Sequence, residues 1–185
     1  IRDARPVPEG VDPIDYYLGV LADKTGVLIA TAARYGAMFS GCPPETVDLL
    51  GRYGERLGIA FQLADDLLDI SSESGESGKE PGADLREGVA TLPVLLVRQS
   101  VDPADDRLRW LLDEDLQDDA LHAEALGLLR VHPAMREARE RTNAVALEAQ
   151  ELLAPLAGGQ PDGSAAGDSA RALSALVVNV VNRAG

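Results

Sequence analysis

Between Leu57 and Ile70 the chain reads Leu-Gly-Ile-Ala-Phe-Gln-Leu-Ala-Asp-Asp-Leu-Leu-Asp-Ile, an apolar run with three carboxylates, Asp65, Asp66 and Asp69. Such a run reads as a helix buried among other helices. At 3.6 residues per turn, Asp65 and Asp69 lie one turn apart with Asp66 beside them, and Gln62 sits one turn earlier on the same stripe. Charges in an apolar helix cost free energy unless something neutralises them. A hard divalent cation with oxygen ligands would do so, and magnesium in turn favours phosphate oxygens. Taken alone, the pentapeptide also fits a solvated acidic helix face, the commoner use of such a pattern. Metal binding therefore needs support from elsewhere in the chain.

Composition narrows the setting. The 185 residues are 45% hydrophobic but only 4% aromatic, and Leu and Ala dominate. That is enough for one core and points to helices rather than strands. A net charge of −14 argues against nucleic acid and against adsorption to an anionic membrane. The lone Cys42 excludes an internal disulfide and reads as a loop thiol. Neither a membrane-spanning run nor a signal peptide is evident, so a soluble cytoplasmic protein is expected. The opening Ile1-Arg2-Asp3-Ala4-Arg5 lacks an initiator Met and reads as cut from a longer protein. Among the 17 basic residues only Lys24 and Lys79 are lysines. Codon bias toward arginine accounts for most of this, but lysine also serves as a point charge for phosphate where a planar fork does not fit.

Residues 1–11 read as loop. Asp12-Pro13 is an N-cap followed by proline at the first helical position, and predicts a helix over 13–40 that ends at Gly41-Cys42-Pro43-Pro44. The next helix is predicted from Pro44 through Ile70. Gly51, Gly54 and Gly58 weaken its propensity by about 1 kcal/mol each relative to Ala, which implies close approach of a neighbouring helix. Ser71 to Gly88 is polar and aperiodic, readable as a functional flap or as a surface linker. Further helices are expected near 91–97, 103–113, 117–131, 133–153 and 168–183. Their apolar faces include Leu108, Leu111 and Trp110, then Leu173, Leu176, Val177, Val180 and Val181. His122 and His132 read as ordinary surface or helix-end residues, and Tyr35 and Phe39 as core packing on their helix. The class is all-α.

Together these pieces describe one chemistry: carboxylates to hold magnesium, with lysines and a hydroxyl to hold a diphosphate. Lys24-Thr25, Gly58-x-x-Phe61-Gln62-x-x-Asp65-Asp66-x-x-Asp69, Gly78-Lys79-x-x-Gly82-x-Asp84-Leu85 and Thr91-Leu92-Pro93 follow in that order. The pattern resembles the C-terminal half of the trans-isoprenyl diphosphate (polyprenyl) synthases, densely over residues 14–97 and weakly in the tail that ends Asn182-Arg183.

The resemblance implies a helical bundle of the isoprenoid-synthase type around a central cavity, of which residues 1–185 would be the C-terminal part, and a homodimer. It implies Mg2+-assisted ionisation of an allylic diphosphate, attack by isopentenyl diphosphate and loss of a proton. Asp65, Asp66 and Asp69 would serve the metal, Asp65 and Asp69 directly or through bound water. Lys24 and Lys79 would bind the allylic diphosphate. Thr25 and Gln62 would flank the reacting centre, Gln62 helping to orient isopentenyl diphosphate, and Phe61 would pack near the hydrocarbon. Tyr35 and Phe39 lie on a helix that could also line the elongation channel. Two departures stand out. Val89 occupies a position where many members carry lysine, and the first aspartate-rich motif and the basic residues that precede it in the family are absent. The segment alone is therefore expected to be inactive. Two other readings are a non-catalytic subunit of a heteromeric synthase and a relative of the class I terpene cyclases.

Overall fold

The computed structural model describes residues 7–72, 81–157 and 164–182. Helix α1 (Pro13–Leu21) starts on Asp12, whose carboxylate accepts from the backbone N–H groups of Ile14 and Asp15 at 2.8 and 3.1 Å. It leads through one π-helical turn (Ala22–Gly26) into α2 (Val27–Phe39). The single helix expected over 13–40 thus carries a wide turn at Lys24 and Thr25. Such turns arise where one extra residue enters the ladder, frequently at functional sites.

Helix α2 ends in a Schellman motif. Gly41 takes φ +74°, the Gly41 N–H donates to Met38 O, and the Cys42 N–H donates to Ala37 O. Cys42 sits half-buried in this tight turn. The turn sends α3 (Pro44–Ser71) back along α2. With 28 residues, α3 is roughly 42 Å long.

Close packing of α2 on α3 explains the glycines. A Cβ at Gly58 would stand 2.7 Å from Gly26 Cα, and one at Gly54 2.8 Å from Ala30 Cα. At Gly51 it would meet the Arg34 guanidinium at 2.4 Å, a group that can move aside. Positions 26, 30 and 34 therefore run antiparallel to 58, 54 and 51, and backbones touch where only glycine fits.

Helix α3 is the axis of the molecule. From Leu57 on it is buried nearly all round, and it packs on α2, α8 (Pro133–Ala157), α9 (Ala165–Asn182) and the π turn. Its C-terminal end is capped from α7 (Asp119–Val131): Arg130 donates to Ile70 O at 2.7 Å and to Ser72 O at 2.6 Å. A cation there complements the helix dipole. Three short pieces complete the described chain: α4 (Ala83–Arg86), α5 (Leu92–Gln99), and a 3-10 turn at Pro103–Asp105 leading into α6 (Asp106–Leu111). The first of these replaces part of the expected loop 71–88. None of the described helices is long and apolar enough to cross a membrane.

Several side chains depart from expectation. Trp110 is 45% exposed and lies under the Arg107 guanidinium at 4.5 Å, a cation–π contact rather than core. Leu176 faces outward, whereas Val177 and Val180 are buried. Tyr35 and Phe39 do not pack in the core: they are 57% and 90% exposed and stack edge to face on each other. Helical spacing located these helices but not the direction from which each is covered.

The glycine seam makes a direct prediction. Gly54→Ala and Gly58→Ala force backbone apart and should each cost about 2–3 kcal/mol. Gly36→Ala, where nothing lies within 4 Å of the added Cβ, should stabilise by about 0.5–1 kcal/mol. Urea unfolding reads both signs, and a Gly54→Ala variant as stable as Gly36→Ala would contradict the close approach.

Candidate diphosphate and metal site

The π turn brings its polar residues against the aspartate stretch of α3. Thr25 Oγ1 donates to Gln62 Oε1 at 3.3 Å, and Gln62 Nε2 donates to Asp66 Oδ1 at 3.0 Å. The other Asp66 oxygen accepts a short hydrogen bond from the Tyr17 hydroxyl on α1. Both Asp66 oxygens are thus engaged, and the residue is buried. Burial pushes its carboxyl up to about 6, against the opposing pull of the Tyr17 and Gln62 hydrogen bonds. The Tyr17 phenol is driven far upward by its own burial and by the Asp66 charge, so it remains a donor at all working pH.

The three aspartates divide differently from the stripe expected of them. Gln62, Asp66 and Asp69 face inward toward α1 and α4. Asp65 is exposed and shares a shallow concavity with Phe61, Leu68 and Val180 of α9. Asp69 acts on the backbone of α4: its two oxygens accept from the N–H groups of Ala83 and Asp84, each at 3.1 Å. The Asp69 carbonyl accepts from the Gly82 N–H at 2.8 Å. A helix that begins beside a carboxylate in this way has its first free N–H groups satisfied.

Two residues without an assigned role from sequence enter here. One is Tyr17, whose only sequence signal is its place two helical turns before Lys24. The other is Asp84, half-buried on α4. Burial raises its carboxyl, the charges of Asp69, Glu87 and Asp65 add to this, and Lys24 pulls the other way. Gly82-x-Asp84 at the end of a glycine-rich loop was the available signal. Lys24 itself is exposed at the rim, with Thr25 half-buried behind it. Lys79 and Gly78 lie outside the described residues. Val89 is exposed.

His122 is likewise not a surface residue. It is 4% exposed, with Nε2 at 2.9 Å from Gly82 O and Nδ1 at 3.2 Å from Arg86 Nη2. His132 does stand at a helix end: it accepts from the Ala134 N–H and pairs with Asp105 at 3.0 Å.

Among the described residues, no three His, Cys, Asp or Glu side chains close into a metal-binding group. The donor set is nevertheless all oxygen. The charges of Asp84 and Asp65 add to burial in raising the Asp66 carboxyl, and those of Asp69 and Asp65 do the same for Asp84. That surplus of negative charge is what a hard divalent cation relieves.

The raised Asp66 carboxyl makes folding pH-dependent. An unfolded aspartate titrates near 4, so between about pH 4 and 6 the folded state holds the extra proton. Stability should fall as pH rises through this window, by on the order of 2 kcal/mol, and level off above it. Asp66→Asn should flatten that stretch of the profile in denaturation followed by circular dichroism. An unchanged slope would remove Asp66 as its source.

Comparison with known proteins identifies the family. Residues 6–129 match the polyprenyl synthetase family model. The chain is 47% identical over its whole length to a nonaprenyl diphosphate synthase of Mycobacterium tuberculosis, covering 53% of that protein. It is 38% identical over 98% of its length to a dimethylallyltranstransferase of the same organism, covering 52% of it. A crystal structure of a geranylgeranyl pyrophosphate synthase from Corynebacterium glutamicum, complexed with calcium and isoprenyl diphosphate, superposes with a TM-score of 0.82 at 37% identity. That match takes in 97% of this chain and 53% of the other. The chain therefore spans about half the length of these relatives. With more than half of its residues matched by the family model and an all-α fold shared with solved prenyl synthases, the chain belongs to the polyprenyl synthetase family.

Proposed function

We propose that this chain forms the diphosphate-ionising half of a prenyltransferase that condenses an allylic diphosphate with isopentenyl diphosphate. The observation that carries this is the hydrogen-bonded line Thr25–Gln62–Asp66–Tyr17, which sets the Lys24 turn beside the aspartate helix. The charge of Lys24 is felt at Asp84, and a cation beside carboxylates is what holding a diphosphate through metal ions requires.

In this reading Asp65 is the exposed carboxylate that would hold Mg2+, and Asp66, Asp69 and Asp84 contribute at longer range or through water. When bound, the metal would offset the charge that develops on the departing diphosphate. Lys24, with Lys79, would grip the same diphosphate. Thr25 and Gln62 would line the reacting centre, where Gln62 is oriented by its bonds to Thr25 and Asp66. The outward apolar stripe of α2, Leu28, Tyr35, Met38 and Phe39, begins one turn after Lys24. It is the natural wall for a hydrocarbon tail leading away from the diphosphate, and shielding there would protect a carbocation from water.

Residues 1–185 would be the C-terminal part of one isoprenoid-synthase domain, active as a homodimer. An opposing aspartate-rich cluster is needed to complete the metal site, so the 185-residue chain by itself should not turn over.

The test is condensation of geranyl or farnesyl diphosphate with isopentenyl diphosphate by the intact protein. Activity should vanish with EDTA and return with Mg2+. Asp65→Asn and Lys24→Ala should each lower kcat/KM by about 10²–10³. Turnover by residues 1–185 alone would overturn the half-site reading. A correctly folded intact protein that binds diphosphate yet never condenses would favour a non-catalytic subunit, and a cyclised product a terpene cyclase.

A further inference from the structure

His122 lies 38 residues beyond Asp84, outside every motif that marks the site, and yet it is buried against the site's last element. Its ring is bound on both edges. Arg86 can only donate, so Nδ1 accepts from Arg86 Nη2 and Nε2 carries the proton that it gives to Gly82 O. Gly82 adopts φ +74° and is buried. A Cβ there would stand 2.8 Å from His122 Nε2 and 3.1 Å from Leu126 Cδ1. The approach of backbone to imidazole thus demands glycine in a left-handed turn.

The Gly82 peptide is consequently held between two helices. Its N–H goes to Asp69 O on α3, and its carbonyl to His122 on α7. The same carbonyl accepts the first bond of α4, from the Arg86 N–H at 2.9 Å. Arg86 is anchored in turn by Gln117 O at 3.2 Å and Asp119 at 2.9 Å, and Gln117 Nε2 donates back to Arg86 O at 2.9 Å. Two residues after Gly82, the Asp84 N–H meets Asp69 Oδ2. The imidazole is therefore one of the anchors at the start of α4, the element whose backbone N–H groups bind the Asp69 carboxylate.

We infer that His122 is a positioning residue for the diphosphate site, acting through Gly82 to hold Asp84 against Asp69. The inference rests on the prenyltransferase reading for its functional consequence, and on the geometry alone for the anchor itself. An apolar replacement would leave Gly82 O and the Arg86 guanidinium edge without their buried partner. Glutamine can still donate to Gly82 O from a similar distance.

Two measurements on the intact protein test it. In hydrogen exchange, His122→Leu should speed the Ala83 and Asp84 amides by about tenfold or more while amides of α8 stay unchanged. Equal exchange would overturn the anchor whether or not the protein is a prenyltransferase. In steady-state kinetics, His122→Leu should raise KM for the allylic diphosphate by about tenfold, with KM for isopentenyl diphosphate changed by less than about twofold. His122→Gln should recover most of that loss. In an Asp84→Asn background the His122→Leu effect should shrink to about threefold or less, because the two act on one element. Full multiplication of the two effects, or parallel loss in both KM values and in kcat that tracks the folded fraction, would reduce His122 to a structural residue. Absence of condensation in the wild type, with the exchange result as expected, would sink the prenyltransferase reading and leave the anchor standing.

Discussion

The backbone contact between Gly26 and Gly58 is the constraint on which the rest depends. Helices normally sit 8–10 Å apart, held off by their side chains. Here the π turn and α3 meet glycine to glycine, with no side chain on either at the contact, so Lys24 and Thr25 come down onto the aspartate helix. At that range Thr25 reaches Gln62, Gln62 reaches Asp66, and the charge on Lys24 is felt by Asp84. A single methyl group at position 58 would push the π turn away from α3 and strain the Thr25–Gln62–Asp66 line of hydrogen bonds.

Burying an aspartate at the centre of this arrangement is costly in principle. The structure offsets the cost with two donors, the Tyr17 phenol and the Gln62 amide, and with a carboxyl that holds its proton to higher pH than usual. Asp66 is thereby a junction among α1, the π turn and α3. Asp69 performs a similar service one turn later for α4. Only Asp65 of the trio is exposed, and it alone shares a concavity with Phe61 and Leu68. Three identical side chains in five positions thus meet three environments, because successive residues of a helix point about 100° apart.

The acidic stretch is also the place where two distant parts of the chain meet. Tyr17 comes from α1, before the motif, and His122 from α7, well after it. Between them they hold the inward faces of Asp66 and Gly82. Electrostatics and packing act together here: the buried Asp66 carboxylate and the buried Gly82 peptide each have a partner on another helix, so the site cannot be assembled by α3 alone.

Much of the plan was legible in the residues. Apolar spacing located the helices, Asp12-Pro13 and Gly41-Cys42-Pro43 marked their ends, and three glycines at spacings of three and four announced a close helix neighbour. The motif order from Lys24 to Pro93 pointed to the family. These features are local, or depend only on periodicity along one helix. Partnership is not local. That Tyr17 would bind Asp66, that His122 would leave the surface for Gly82, that Trp110 and Leu176 would face outward and that Asp65 would part from Asp66 all depend on which helices pass nearby and at what distance. The sequence by itself determined an all-α chain with a carboxylate-bearing central helix. Only the tertiary structure decided which carboxylate is exposed and which two are turned inward, because burial and hydrogen bonding are set by neighbours distant in the chain, such as Tyr17, 49 residues before Asp66.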